Sequence, residues 1–271
     1  MTKSVEIKAP PVALTIAGFD PSGGAGIVAD VKTFTAFGCF AAAAVTSLTF
    51  QNTSGVFGAA HQGAETLRAQ VLAVVEDFPV AGAKTGMLPT REIIEETARL
   101  FRETRLPAPV VDPVIRSTSG YDLIDAAALD ALKHELLPLA RLVTPNLPEA
   151  EALTGLEIND EQGMVSAARA LLEAGARAVL VKGGHLSGEA VDVLLDNSGE
   201  VKTFVAERVE TVSMHGTGCT LSAAIAACLA RGMSLEESVG AAKRFVTEAI
   251  RRAPRLGHGH GPVNHSVAAR L

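Results

Sequence analysis

Short apolar runs alternate with segments of helical period along nearly the whole chain, and this alternation limits the fold more than any other feature. Residues 12–17 form an apolar run stopped by Gly18, as expected of a strand buried on both faces. A glycine-rich turn follows, then 27–37, where Ile27, Val31 and Phe34 recur at helical spacing. The same reading predicts strands at 40–48, 80–84, 109–112, 141–144 and 178–182. It predicts helices at 66–76, 91–103, 125–137, 161–174, 220–230 and 235–252. Thr90 has the character of an N-cap for the helix at 91–103. Runs at 191–196 and 201–206 flank Asn197-Ser198-Gly199, a hairpin signal at a sheet edge. Strand–helix repetition with short connections implies an α/β fold, a mostly parallel central sheet with helices on both faces. No linker or fixed-period repeat interrupts it, so one domain over residues 1–271 is expected, with 1–11 a flexible N-terminus.

Composition agrees with that layering. Apolar residues make up 48% of the chain, but only 4% is aromatic and there is no Trp, which suits Ala-, Val- and Leu-rich helices packed on a sheet. A net charge of −6 without a basic run gives a nucleic-acid surface little support. Residues 1–11 lack the apolar core and cleavage site of a secretory signal, and the run at 41–48 is too short to cross a bilayer. A cytoplasmic enzyme without a membrane partner is the expectation. Cys39, Cys219 and Cys228 are too irregularly spaced for a disulfide framework or a zinc cluster.

Open α/β sheets bind ligands beyond the carboxyl ends of their strands. The polar and glycine-rich clusters fall at those ends, at 18–26, 51–52, 84–87, 112–119, 146–149, 182–185 and 216–219. The first is no Walker loop, because Gly24 and Ala25 follow Gly23 where Lys and Ser or Thr would be needed, and it lacks dinucleotide-fingerprint spacing. Its glycines let backbone approach a small ligand closely. His215-Gly216-Thr217-Gly218-Cys219-Thr220 runs into a helix, where backbone N–H groups and the positive end of the helix dipole favour an anion. Cys219 would sit in the first turn, a place that tends to lower a thiol pKa. Cys39 and Cys228 read as core. Met87 alone reads as core, Lys182 equally as a solvated lysine, and Glu149 as a partner for a helix dipole.

Four motifs in order carry a resemblance. Ala17-Gly18-Phe19-Asp20-Pro21-Ser22-Gly23-Gly24-Ala25-Gly26, Thr144-Pro145-Asn146-Leu147-Pro148-Glu149, Lys182-Gly183-Gly184-His185 and His215-Gly216-Thr217-Gly218-Cys219 resemble those of the hydroxymethylpyrimidine/phosphomethylpyrimidine kinases. These form the vitamin-kinase branch of the ribokinase superfamily, and the likeness runs from Leu14 to Gly261-Pro262-Val263. It implies a ribokinase-like homodimer that uses ATP and Mg²⁺ to phosphorylate 4-amino-5-hydroxymethyl-2-methylpyrimidine to its monophosphate and then its diphosphate, on the route to thiamine. It also implies pyrimidine contacts from Gly18, Asp30, Gln51, Met87 and Val114, with Gln51 able to donate to and accept from an aminopyrimidine edge. Nucleotide contacts would come from Asn146, Lys182 and Thr217. Glu149, with Asp112, would order Mg²⁺. Gly216, Gly218, Cys219 and Lys182 would carry catalysis, with the Cys219 thiolate as base where related sugar kinases have Asp.

Two residues depart from that pattern: Phe19 replaces a small hydroxyl residue, and Thr85 stands where Ile is common. A pyridoxine or pyridoxal kinase is the nearest alternative, and a catalytically silent vitamin sensor a more distant one. His185 and His215 receive no role. The tail Gly257-His258-Gly259-His260-Gly261 reads as mobile rather than metal-binding, because its histidines are irregularly spaced.

Overall fold

Along the strands, successive side chains point to opposite faces of the sheet, and burial follows that period. Val110, Leu142, Ala178 and Leu180 belong to one buried cluster, while their neighbours Val111, Val143, Val179 and Val181 belong to the other. The computed structural model describes residues 9–117, 120–184 and 188–269. The expected flexibility of 1–11 concerns mostly residues 1–8, which lie outside the described residues, as does His185.

The strands are β1 (Val12–Phe19), β2 (Phe40–Asn52), β3 (Gly55–His61), β4 (Val80–Thr85), β5 (Val110–Val111), β6 (Leu142–Val143), β7 (Ala178–Lys182), β8 (Ala190–Asp196) and β9 (Val201–Ala206). They join one sheet in the order β3-β2-β1-β4-β5-β6-β7-β8-β9. Its centre, from β2 to β7, is parallel, and β3, β8 and β9 are antiparallel. Helices α1 (Gly26–Ala36), α7 (Thr217–Ala230) and α8 (Leu235–Arg251) cover one face. Helices α2 (Ala64–Asp77), α3 (Arg91–Glu103), α4 (Ala126–Ala131), α5 (Leu147–Thr154) and α6 (Glu161–Glu173) cover the other. The mostly parallel sheet clothed on both faces is the ribokinase-like architecture expected from sequence. Ala-rich α7 fits because small side chains let it lie close on the strands: a Cβ on Gly82 of β4 would come within 2.7 Å of Ala230 Cβ.

Four local outcomes differ from the prediction. β2 continues to Asn52 and pairs with the unpredicted β3, whose Gly55 and Gly58 dilute the strand signal. α5 escapes the pattern because it is short and carries Pro148 in its first turn, yet a reciprocal capping box holds its start. Asn146 Oδ1 accepts from Glu149 N at 2.9 Å, and Glu149 Oε2 accepts from Asn146 N at 2.8 Å. The predicted helix at 125–137 is α-helical only to Ala131 and widens into a π turn, Leu132–Leu136. It ends as a 3-10 turn at Leu137–Leu139, where Pro138 brings no N–H. α7 starts at Thr217, three residues before the predicted 220, which moves the 216–219 motif into the helix start itself.

Candidate active site

A cavity of about 440 Å³ opens beyond the carboxyl ends of β1, β2, β4, β5 and β7, against the first turn of α7. One wall is mostly apolar. Gly18 is the penultimate residue of β1, and a Cβ there would come within 3.0 Å of Met87 Sδ, so glycine lets Met87 pack closely over the strand end. Gly26 turns back on the same strand at φ +55, where a side chain would strike Gly18 O. Thr49, Gln51 and Val56 come from the β2–β3 hairpin, and Val114 and Ile115 from the segment after β5. Gln51 Nε2 donates to Thr49 Oγ1 at 2.7 Å, which donates onward to Phe19 O at 2.9 Å, fixing the amide at the cavity edge.

The opposite wall is charged. Lys182 Nζ donates to Asp112 Oδ1 at 2.9 Å and stands 3.9 Å from Glu149 Oε2. Asp112 also accepts from Thr144 Oγ1 and Ser222 Oγ, both at 3.2 Å. Burial opposes its charge, but Lys182 and Lys84 hold its carboxyl below the usual range. Burial pushes Glu149 up to about 7, with Lys182 pulling against it and Asp112 adding to it. Burial likewise disfavours the Lys182 ammonium, yet Asp112 and Glu149 keep it protonated. A Cβ on Gly218 would lie 3.2 Å from Lys182 Nζ, so the ammonium rests against the start of α7. There Gly216 caps the helix at φ +81. The Gly218 and Cys219 amides occupy the first turn, where a helix supplies no acceptor of its own.

Gly18, Gln51, Met87, Val114, Asp112, Asn146, Glu149, Lys182, Gly216, Thr217, Gly218 and Cys219 therefore all line one cavity. Asp30 does not, and this corrects the expectation of a direct pyrimidine contact. It is fully buried, with both oxygens on Lys84 Nζ at 2.8 and 3.0 Å and one also accepting from Thr15 Oγ1 at 2.6 Å. Lys84 does line the cavity and was missed, although it opened the polar cluster at 84–87. Burial alone disfavours its ammonium; Asp30 beside it pushes the pKa well up instead. The expected lowering of the Cys219 thiol is also reversed. Burial raises it to about 11, and the pull of Lys84 does not offset the push of burial, Asp112 and Asp30.

Of the two departures, Phe19 does not line the cavity. Thr85 is fully buried, and its Oγ1 has no hydrogen-bond partner among the described residues. The tail expected to be mobile is fastened at the cavity rim. His260 N donates to Thr53 O at 2.8 Å, His258 N to Thr53 Oγ1 at 3.2 Å, and His215 bridges Pro262. Buried His265 meets Thr220 Oγ1 at 3.0 Å, and burial lowers its pKa to about 4. Among the described residues no cluster of three or more His, Cys, Asp or Glu is arranged to hold a metal by itself. No described helix is long and apolar enough to cross a membrane.

Comparison with known proteins places this cavity in context. Residues 20–264 match the family profile described as phosphomethylpyrimidine kinase. The thiamine biosynthesis bifunctional protein ThiED of Geobacter sulfurreducens is 50% identical over 94% of this chain. This chain spans 52% of that bifunctional protein's length. The hydroxymethylpyrimidine/phosphomethylpyrimidine kinase of Streptomyces coelicolor is 46% identical over 99% of both chains. Among solved structures, an ADP complex of Bacillus subtilis pyridoxal kinase superposes with a TM-score of 0.87 at 38% identity, covering 95% of this chain and 98% of that one.

Proposed function

The chain belongs to the phosphomethylpyrimidine kinase family, and from that premise we propose a two-step ATP-dependent kinase. It phosphorylates the hydroxymethyl group of 4-amino-5-hydroxymethyl-2-methylpyrimidine, then the resulting monophosphate, in thiamine biosynthesis. The observation that carries this reading is the two-sided cavity. A wall of Gly18, Met87, Gln51 and Val114 faces an anion-binding wall of Lys182 and the α7 amides. Relatives named as hydroxymethylpyrimidine/phosphomethylpyrimidine kinases at 43–50% identity support this acceptor over pyridoxal, since the Bacillus subtilis pyridoxal kinase is 38% identical.

Phosphoryl transfer passes through a loose transition state, so alignment and charge stabilisation dominate. The acceptor oxygen attacks the γ-phosphorus in line as the bond to the β-phosphate oxygen breaks and ADP leaves. The Gly218 and Cys219 amides and Lys182 take up the developing negative charge. Asn146 and Thr217 border the nucleotide side. Cys219, kept as a thiol by burial, orients the hydroxyl through its sulfur; the hydroxyl proton leaves late to a phosphoryl oxygen and then to water. Asp112 and Glu149 fit Mg²⁺, which favours one or two carboxylates together with phosphate oxygens and water. The buried Glu149 carboxyl, raised to about 7, is a donor whose charge is incompletely balanced. Bound there, Mg²⁺ would supply charge neutralisation to the phosphates.

The reading extends to a single cytoplasmic domain and a homodimer. Leu48, Phe50 and Phe57 of the β2–β3 hairpin are exposed apolar side chains that a second copy could cover. The test is ADP release with Mg-ATP and hydroxymethylpyrimidine, its monophosphate, or pyridoxine at matched concentrations. Turnover of both pyrimidines well above pyridoxine is expected. Turnover of pyridoxine alone would overturn the assignment, and binding without ADP release would make the protein a sensor.

A further inference from the structure

Asp20 and His215 are 195 residues apart in sequence and meet at the cavity, Asp20 Oδ2 lying 2.9 Å from His215 Nε2. Asp20 is 1% exposed and also accepts from Ser22 N at 2.8 Å, Ser22 Oγ at 2.9 Å, Ala25 N at 2.9 Å and Gly24 N at 3.2 Å. Burial opposes its charge, but the His215 and Ser22 bonds hold its carboxyl below the usual range. An ionised carboxylate only accepts, so His215 Nε2 carries the proton. The two loops also touch backbone to backbone. A Cβ on Gly216 would strike Gly24 O, and one on Gly24 would lie 3.1 Å from Pro262 Cβ, beside the His215 ring. His215 N is held in turn by Gly261 O at 3.2 Å.

We propose that Asp20–His215 is a positioning dyad that clamps the glycine-rich acceptor loop to the phosphate loop, and so sets the distance across which the phosphoryl group moves. This rests on the kinase reading above. The loop at 20–26 runs from the Gly18 wall into α1, and His215-Gly216 runs into the α7 amides. The acceptor is thus seated on one side of the dyad and the transferred phosphate on the other. In-line attack requires reacting atoms about 3–3.5 Å apart, and a misplacement of about 1 Å can cost roughly a hundredfold. Neither residue needs to touch the reacting atoms to matter.

His215→Phe removes the bond and keeps a ring between Gly24 and Pro262, whereas His215→Gln restores a side-chain N–H donor. Steady-state kinetics with hydroxymethylpyrimidine are expected to show kcat about ten- to a hundredfold lower in the Phe variant, with the KM for ATP within about twofold and the thermal midpoint kept. The Gln variant recovers most of the loss. Deuterium exchange without any ligand is expected to quicken about tenfold over residues 20–26 in the Phe variant. Unchanged kcat, a Gln variant no better than Phe, or unchanged exchange would each overturn the dyad. A wild-type protein inactive on hydroxymethylpyrimidine would sink the kinase reading instead, and the exchange measurement would still decide the clamp.

Discussion

Glu149 carries a charge that its neighbours do not fully balance, so its replacement probes the cation site through stability. Its side chain is 7% exposed, and Lys182, 3.9 Å away, is already held by Asp112 at 2.9 Å. Burial first, and Asp112 second, raise the carboxyl from 4.5 to about 7 against the pull of Lys182. The folded value lies above the unfolded one, so the fold favours the protonated form. That contribution is complete below pH 4.5 and is lost as pH rises through about 7. The interval from 4.5 to about 7, at roughly 1.36 kcal/mol per pH unit, amounts to about 3 kcal/mol. Glu149→Gln keeps an acceptor for Asn146 N and removes the titration. With a chelator present, urea unfolding should find the variant about 2–3 kcal/mol more stable than wild type near pH 8, and much closer to it near pH 5. Saturating Mg-ATP should reverse the ranking, because wild type alone offers the cation a carboxylate there. Equal stability of the two proteins near pH 8 in chelator would refute the uncompensated carboxylate and, with it, Glu149 as a group that holds the cation.

Other substitutions follow from single contacts. Thr85→Val removes a buried hydroxyl that lacks a described partner and should raise stability by about 1 kcal/mol in denaturant unfolding; a loss would show that the hydroxyl is satisfied. Gly216→Ala forces a side chain into a left-handed position and onto Gly24 O, and should cut kcat by about a hundredfold or more while most of the fold survives. Cys219→Ser should slow the first transfer more than the second, by less than about a hundredfold, since a half-buried thiol raised to about 11 orients rather than deprotonates. A much larger loss in both steps would restore the thiolate base or give Cys219 an anion-binding role.

Alternating apolar runs and helical-period segments fix local conformation through short-range sterics and burial, so the strand–helix order and the layering were legible from sequence. The glycine-rich motifs carry meaning for the same local reason. Only glycine accepts the backbone of Gly26 and Gly216, and a helix start such as that of α7 presents its own amides. The capping box of Asn146 and Glu149 shows both layers at once: the spacing is local, while its use as one wall of a charged cavity is not. What tertiary structure alone decided concerns groups that meet from distant parts of the chain. Lys84 finds Asp30 54 residues away and withdraws it from the pocket. Asp20 finds His215, the tail is fastened to Thr53, and enclosure raises the Cys219 thiol where the helix start alone would lower it. Pairing across the sheet and the loss of water around a charge depend on which surfaces come together. Sequence spacing carries no direct record of either, because both energies are set by distance in space.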